Sequence, residues 1–359
     1  MDLSNILVFR IGNLGDTVMA LPAFWAIRNS FPNARLTLLT NSDPRNRHYL
    51  TPRSVLPEDG LIDEWISYPN PSGLLDKATS FYRLARELRR RDFDVAIYLM
   101  PRIRTEKQID RDVCFFRFCG IRRLIGAEYL RQNSLTASIP KPTPFVESES
   151  EFLLNLLSAE GLSVQGYEAK TDLLLSDAEI LSARNWLSES ISNANICKKL
   201  VAVAPGSKWA SKIWDEARYQ EVVARLILEK GCYPVIFGGE EDHAIGERLI
   251  AVWGTGSNAA GELNVRESAA LLTECAIYLG NDTGTMHLAA AVGTPCIAIF
   301  AAIDWKGRWW PSGEGHRIFR QTVECEGCFT PYCFNDHKCL RLTTTGKVYE
   351  ACNELLDQI

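Results

Sequence analysis

The sequence has no run of 18 apolar residues. A bilayer core takes about 20 residues of helix to cross, so no transmembrane helix is expected. Its first residues, MDLSNILVFRIG, lack a basic segment followed by an apolar run and a small-residue cleavage site. Export by a signal peptide is therefore not expected, and the cytoplasm is the expected location. No G-x-G-x-x-G fingerprint follows the opening apolar run, where the glycines stand as G-x-x-G, which counts against a nicotinamide oxidoreductase. There is no short internal repeat and no low-complexity segment. Nor is there an excess of positive charge: the net charge is -5, so a nucleic acid is not an expected partner.

What is present begins with length. At 359 residues the chain exceeds one ordinary core, so two compact domains are expected, with a cleft between them. Apolar runs bounded by turn residues recur at 6–11, 35–40, 94–100, 200–205, 233–239, 276–282 and 295–301, and each reads as a buried strand. Amphipathic segments at 81–91, 216–230 and 265–275 have apolar positions three and four apart, which predicts helices. Strand and helix alternate, so the sheets should be parallel and the fold α/β. The pattern weakens over 141–180, placing a boundary near residue 170. The expected domains are 1–170 and 171–359, each Rossmann-like, with ligands beyond the carboxyl ends of the strands.

Four loops carry the chemistry. In RIGNLGDTVMALPA, Arg10 to Ala23, Gly12 and Gly15 permit a tight turn. Asp16 is either a helix N-cap or a carboxylate able to take a proton from a hydroxyl. APGSKWASKIW (204–214) is not a Walker A loop, but Ser207, Lys208, Ser211 and Lys212 suit a diphosphate as well as a solvated turn. In FGGEEDH (237–243), Glu240 can accept ribose hydroxyls, while Glu241 and Asp242 begin the next helix. In GNDTGTMHLAAAVGTP (280–295), the amides of Thr283, Gly284 and Thr285 open a small-residue helix suited to a pyrophosphate. Asp282 can hold that loop or bind sugar hydroxyls, and His287 can contact phosphate or cap the helix.

Charge and cysteine are unevenly spread. Between Arg83 and Arg131, twelve arginines and one lysine stand against seven acidic residues. Such a segment suits a phosphorylated acceptor, an anionic membrane or only a solvated face. Eleven cysteines are read as buried thiols, with metal ligands where they cluster. Cys325, Cys328, Cys333 and Cys339, near His337, form the one such cluster and could hold zinc or iron as four thiolates.

Taken in order, RIGNLGDTVMALPAFWAIRNSFPNARL, PGSKWASKIW, FGGEEDH and GNDTGTMHLAAAVGTPCIAIF resemble the motifs of family 9 glycosyltransferases, the ADP-heptose:lipopolysaccharide heptosyltransferases of Gram-negative bacteria. The likeness covers nearly the whole chain. It implies a GT-B fold, two facing Rossmann-like domains with an interdomain cleft, and inverting, metal-independent transfer from an ADP-sugar with no cofactor in the chemistry. Under it Asp16 matches the general base, Lys212 a lysine on the donor phosphates, and Glu240 the acid on the ribose, with Leu263 near the base. Asp282, Thr283, Gly284 and His287 match the donor signature, and Ser207 joins them. A lipopolysaccharide core or lipid-linked acceptor is implied, with Arg102 and Arg104 of an arginine group that includes Arg111, Arg117, Arg122 and Arg123 on the acceptor side. A peripheral contact with the inner face of the inner membrane goes with it. A related branch, the autotransporter heptosyltransferases, carries an iron-bound cysteine motif. The competing readings are transfer to a protein hydroxyl and a non-catalytic module that binds a nucleotide sugar.

Overall fold

The computed structural model describes residues 3–43, 50–69, 73–167, 170–191 and 199–359. The chain divides into two compact units, Met1–Ala137 with Glu147–Leu173, and Ser138–Val146 with Leu174–Ile359. Each unit is built on one parallel sheet.

In the first unit the strands are β1 (Asn5–Phe9), β2 (Arg35–Ser42), β3 (Glu64–Pro69), β4 (Val95–Tyr98) and β5 (Leu124–Ile125), in the order β3-β2-β1-β4-β5. Val8 of β1 stands between Leu38 of β2 and Ile97 of β4. β1 and β4 are apolar at almost every position because a parallel sheet is covered on both faces. In the second unit, β6 (Leu200–Ala204), β7 (Tyr233–Ile236), β8 (Ser257–Asn258), β9 (Ile277–Asn281), β10 (Cys296–Phe300) and β11 (Arg317–Arg320) run in the order β11-β10-β9-β6-β7-β8.

Both orders reverse once, between β1 and β4 in the first sheet and between β6 and β9 in the second. At such a reversal the connections leave toward opposite faces and open a crevice beyond the carboxyl ends of the two strands. The loops singled out above that follow β1, β6 and β9 all begin there.

All seven expected strands are present, with ends within three residues of the predicted ones. The helix expected over 216–230 is Glu216–Lys230: the Asp215 carboxylate caps it by accepting from the Ala217 amide, and Gly231, at φ 64°, ends it. β3, β5, β8 and β11 were not anticipated. β5 and β8 have two residues each, and β11 (RIFR) is half-exposed throughout. Short edge strands offer no apolar run to read. The core of the second unit joins Trp214, Tyr219, Ile236, Leu279 and Ile299 to Val348, Cys352 and Leu355 of the terminal helix Thr345–Asp357. Among the described residues no helix is long and apolar enough to cross a membrane.

Candidate active site

The loop after β1 is built around a buried arginine. Arg10 is fully buried, yet its guanidinium is held: it donates to the Leu99 carbonyl at the end of β4 (3.1 Å) and to the backbone carbonyl of Asp16. It thereby ties together the two strands that flank the sheet reversal. The Asp16 carboxylate lies 3.9 Å from the same guanidinium, and its side chain is 19% exposed. Asn13 is the N-cap of the short helix Leu14–Val18, and Asp16 stands at its third position. Asp16 reaches back to accept from the Asn13 amide (2.9 Å), so the N-cap reading of Asp16 is corrected by three residues. Gly12 cannot be replaced here without rearrangement. Its φ is +146°, and a Cβ would sit 2.3 Å from the Asp16 Cβ.

In the second unit the chain leaves β9 at Asn281 and enters the helix Gly284–Ala291, whose first-turn amides have no intrahelical acceptor. Asp282, 6% exposed, is flanked by two cationic or potentially cationic groups. The Lys212 ammonium lies 2.6 Å from one carboxylate oxygen, and the His287 Nε2 lies 4.0 Å from the other. Lys212 thus offsets the charge of a carboxylate held largely out of water at this helix start. His287 is buried and meets the edge of Trp309, with ring centroids 6.0 Å apart.

A second carboxylate comes from a position the sequence reading assigned only to a helix start. Asp242 bears directly on the loops after β6 and β7. Its carboxylate accepts from the Gly239 amide (3.0 Å) and presses so closely on Gly206 and Gly238 that a Cβ at Gly206 would fall 1.8 Å from it. Burial raises its pKa above the ordinary aspartate value. Glu240 opens the same turn with an exposed side chain, Leu263 is half-buried beyond β8, and Ser207 is half-buried with its hydroxyl toward the Trp209 amide (3.4 Å). Paired glycines followed by acids signal such a contact, but which acid turns inward is decided by packing.

These loops are locked by one amide side chain. Asn281 is fully buried and uses all its bonding capacity: Oδ1 accepts from the Trp214 amide and the Tyr219 hydroxyl (3.0 Å each), while Nδ2 donates to the carbonyls of Pro205 (2.7 Å) and Gly206 (3.2 Å). The loop carrying Lys212 has a further brace from the cysteine-rich segment. Ser211 donates from its amide to the Pro331 carbonyl (3.0 Å) and from its hydroxyl to the Thr330 carbonyl (2.6 Å). His337 Nε2 donates to the Ala210 carbonyl (3.1 Å), and Trp209 meets Phe329 edge to face. Phe329, Asp336 and His337 all have φ near +48°, a costly conformation for side-chain-bearing residues that these contacts hold in place.

The same segment carries the candidate metal ligands. Among the described residues no group of three or more His, Cys, Asp or Glu side chains could hold a metal ion. Cys325, Cys328, Cys333 and Cys339 therefore do not form the four-thiolate set that their spacing suggested. Two of these sulfurs accept from backbone amides. Cys333 Sγ accepts from Asn335 and His337, and Cys339 Sγ accepts from Ala302 (3.4 Å).

Arg102 and Arg104 follow β4 and are both engaged. Arg102 donates from Nε to the Asn133 carbonyl (3.1 Å), pairs with Glu147 (3.3 Å) and lies over the Phe152 ring. Arg104 pairs with the buried carboxylate of Asp112, which also accepts from the Tyr98 hydroxyl (2.7 Å) and from Arg111. Burial, with Asp112 alongside, pushes the Tyr98 phenol well above its usual pKa.

The model of the family described as Glycosyltransferase family 9 (heptosyltransferase) matches residues 81–338. Lipopolysaccharide heptosyltransferase 2 of Escherichia coli (strain K12) is 30% identical over 175 residues, 45% of this chain and 48% of that relative, so the match spans about half of the relative's length. Lipooligosaccharide heptosyltransferase 2 of Haemophilus influenzae is 25% identical over 320 residues, 82% of this chain and 83% of the relative. The solved structure of Escherichia coli ADP-heptose lps heptosyltransferase II matches with a TM-score of 0.67 at 20% identity, over 99% of each chain. The two parallel sheets are thus those of the GT-B fold.

Proposed function

The chain belongs to glycosyltransferase family 9, the heptosyltransferases, and from that premise we propose that it moves a heptose, with inversion, from ADP-heptose to a hydroxyl of the lipopolysaccharide inner core. The observation that carries the donor half is the arrangement of Lys212, Asp282 and His287 at the start of the helix Gly284–Ala291. Free first-turn amides and the positive end of the helix favour a diphosphate. The Lys212 ammonium adds charge that strengthens as negative charge builds on the departing ADP. Thr283 and Gly284 supply backbone donors there, and Ser207 adds a hydroxyl. Glu240, exposed at its turn, is free to accept ribose hydroxyls, with Leu263 near the adenine.

The acceptor half is assigned to Asp16. The acceptor hydroxyl attacks the anomeric carbon from the face opposite the ADP, its proton passes to the Asp16 carboxylate, and the bond from the anomeric carbon to the phosphate oxygen breaks with its electrons leaving on ADP. Arg10 fixes the loop in which Asp16 sits, and Asn13 fixes one carboxylate oxygen. Arg102 and Arg104 are retained on the acceptor side. Because each is already paired with a carboxylate, they act by shaping the β4 loop as well as by charge. No step passes through a metal.

Purified protein is tested with a panel of ADP-, UDP- and GDP-sugars against lipopolysaccharide core acceptors and a protein acceptor, reading nucleotide release and product mass. Transfer from ADP-heptose to the core with inverted anomeric configuration is the expected result. Preference for a UDP- or GDP-sugar, or transfer to the protein acceptor alone, overturns the assignment of donor or acceptor. Nucleotide-sugar binding with no transfer to any acceptor leaves only a binding module.

A further inference from the structure

The loop that leaves β10 carries three tryptophans, Trp305, Trp309 and Trp310, and the proposed chemistry uses none of them. Trp309 is the one that reaches the donor loops. Its ring lies 6.0 Å from that of His287, centroid to centroid, and the His287 Nε2 lies 4.0 Å from Asp282, just before the helix Gly284–Ala291. A half-buried indole therefore stands beside the helix start assigned to the diphosphate.

That indole is fixed in place. Its Nε1 donates to the Asp304 carboxylate (2.9 Å), the same carboxylate pairs with Arg308 (3.1 Å), and the Arg308 guanidinium lies 4.6 Å from the centre of the Trp309 ring. The Asp304 carbonyl accepts from Arg320 (3.3 Å), which pairs with Glu326 (3.1 Å) out of contact with water. The stretch Ser138–Val146 belongs to the same unit and straps the loop: the Val146 amide donates to the Lys306 carbonyl (2.8 Å), and Phe145 meets Trp310 edge to face at 5.0 Å. An aromatic ring locked in this way, yet still partly open to solvent, is a preorganised contact, because binding to it freezes little further motion.

Sheet order selects the part of a nucleotide sugar that meets this ring. The diphosphate is assigned to the loops after β6 and β9, and the ribose and base to those after β7 and β8, whereas β10 lies on the other flank of β9. The loop of Trp309 is three strand positions from that of Glu240, about 14 Å at the usual strand spacing. A nucleotide laid across β7, β6 and β9 brings the group on its far phosphate to β10, and that group is the sugar. The chemistry agrees: the negative face of an indole repels phosphate oxygens, whereas a pyranose carries axial C–H bonds that are drawn to that face and bury apolar surface on it. We infer that Trp309 is a specificity-determining residue, a platform on which a C–H face of the donor's sugar ring packs, with Asp304 and Arg308 as the residues that position it. This role rests on the donor reading proposed for the site, and the wild-type protein tests that reading separately.

The test is calorimetry of the whole protein with ADP and with ADP-heptose, in the absence of acceptor, for the wild type, Trp309→Phe and Trp309→Leu, with melting temperatures to report folding. Trp309→Leu should weaken ADP-heptose about tenfold and leave ADP unchanged, while Trp309→Phe, which keeps a flat ring but not the indole N–H, should retain most of the affinity. A second measurement needs no folded leucine variant: in protein labelled with 5-fluorotryptophan, the Trp309 fluorine signal, identified by its loss in Trp309→Phe, should move on addition of ADP-heptose and stay in place with ADP. Equal weakening of ADP and ADP-heptose, unchanged affinity for both in a folded Trp309→Leu protein, or a fluorine signal that answers ADP as it answers ADP-heptose overturns the platform. A wild type that binds a different nucleotide sugar in place of ADP-heptose overturns the donor reading instead, and the platform is then tested by the same comparison with that nucleotide sugar and its nucleotide.

Discussion

Asp16 and Lys212 each stand on a loop leaving a strand beside a sheet reversal, one in each unit, and they are held in opposite ways. Asp16 is fixed by neighbours in sequence: the amide of Asn13, the guanidinium of Arg10, and Gly12, whose missing side chain makes room for it. Lys212 is fixed from afar. Its partner Asp282 is 70 residues on, and its loop hangs on Thr330, Pro331 and His337, more than 100 residues away. A charged group held locally keeps its geometry when distant parts of the fold shift, whereas one held at long range reports on all of them. Damage to the acceptor side should therefore be chemical and narrow, and damage to the donor side should spread into stability and affinity.

The sharpest way to break this contrast is Asp16→Asn, which keeps the side chain's shape and its acceptor for the Asn13 amide while removing the base. Turnover should fall on the order of 10²–10⁴, with the ADP affinity measured by calorimetry unchanged. Near-normal turnover would leave Asp16 as a carboxylate that only closes the start of its helix.

Asn281→Leu should show the opposite pattern. It strands the Trp214 amide, the Tyr219 hydroxyl and the carbonyls of Pro205 and Gly206, and each buried group left without a partner costs about 1–3 kcal/mol. The loss should be roughly 3 kcal/mol or more, visible as a lower melting temperature together with a raised donor KM. A variant that melts normally and binds donor normally would show that the loops after β6 and β9 do not need this link.

Ser211→Ala is the mildest probe. It removes the hydroxyl's bond to the Thr330 carbonyl but keeps the amide's bond to Pro331. It should cost about 1 kcal/mol and raise the donor KM a few-fold, with kcat nearly constant. A fall in kcat at unchanged KM would mean that the cysteine-rich brace acts on the chemical step instead of on donor binding.

The same local and distant division separates what was legible in the sequence from what was not. β1, β6 and β9 were readable because a strand buried on both faces is apolar at most positions. The loops after them were readable because glycines and capping residues act within a few positions. β5, β8 and β11 were not, since two-residue or half-exposed edge strands are defined by what they pair with. Asp242 was legible only as a helix start, because three consecutive acids look alike until packing turns one of them against Gly206 and Gly238. Arg102 and Arg104 were counted with the other arginines, yet a count of charges does not say which of them meet Glu147 and Asp112.

The cysteine-rich segment marks the limit most clearly. Its spacing is fixed by sequence and is compatible with four metal ligands, but ligation requires the sulfurs to converge, and convergence depends on backbone angles and on what the segment packs against. Here left-handed residues and contacts to Ala210 and Ser211 turn it into a support for the Lys212 loop. The sequence by itself determined the two parallel α/β units and the glycine-bounded loops at their strand ends, because periodicity, helix caps and tight turns are set by residues within a few positions of one another. Only the tertiary structure decided which charges are neutralised, which acid is buried and what the cysteine-rich segment braces, because those outcomes depend on which groups the fold brings into contact, whether 8 residues apart, as Arg104 and Asp112 are, or 119, as Ser211 and Thr330 are.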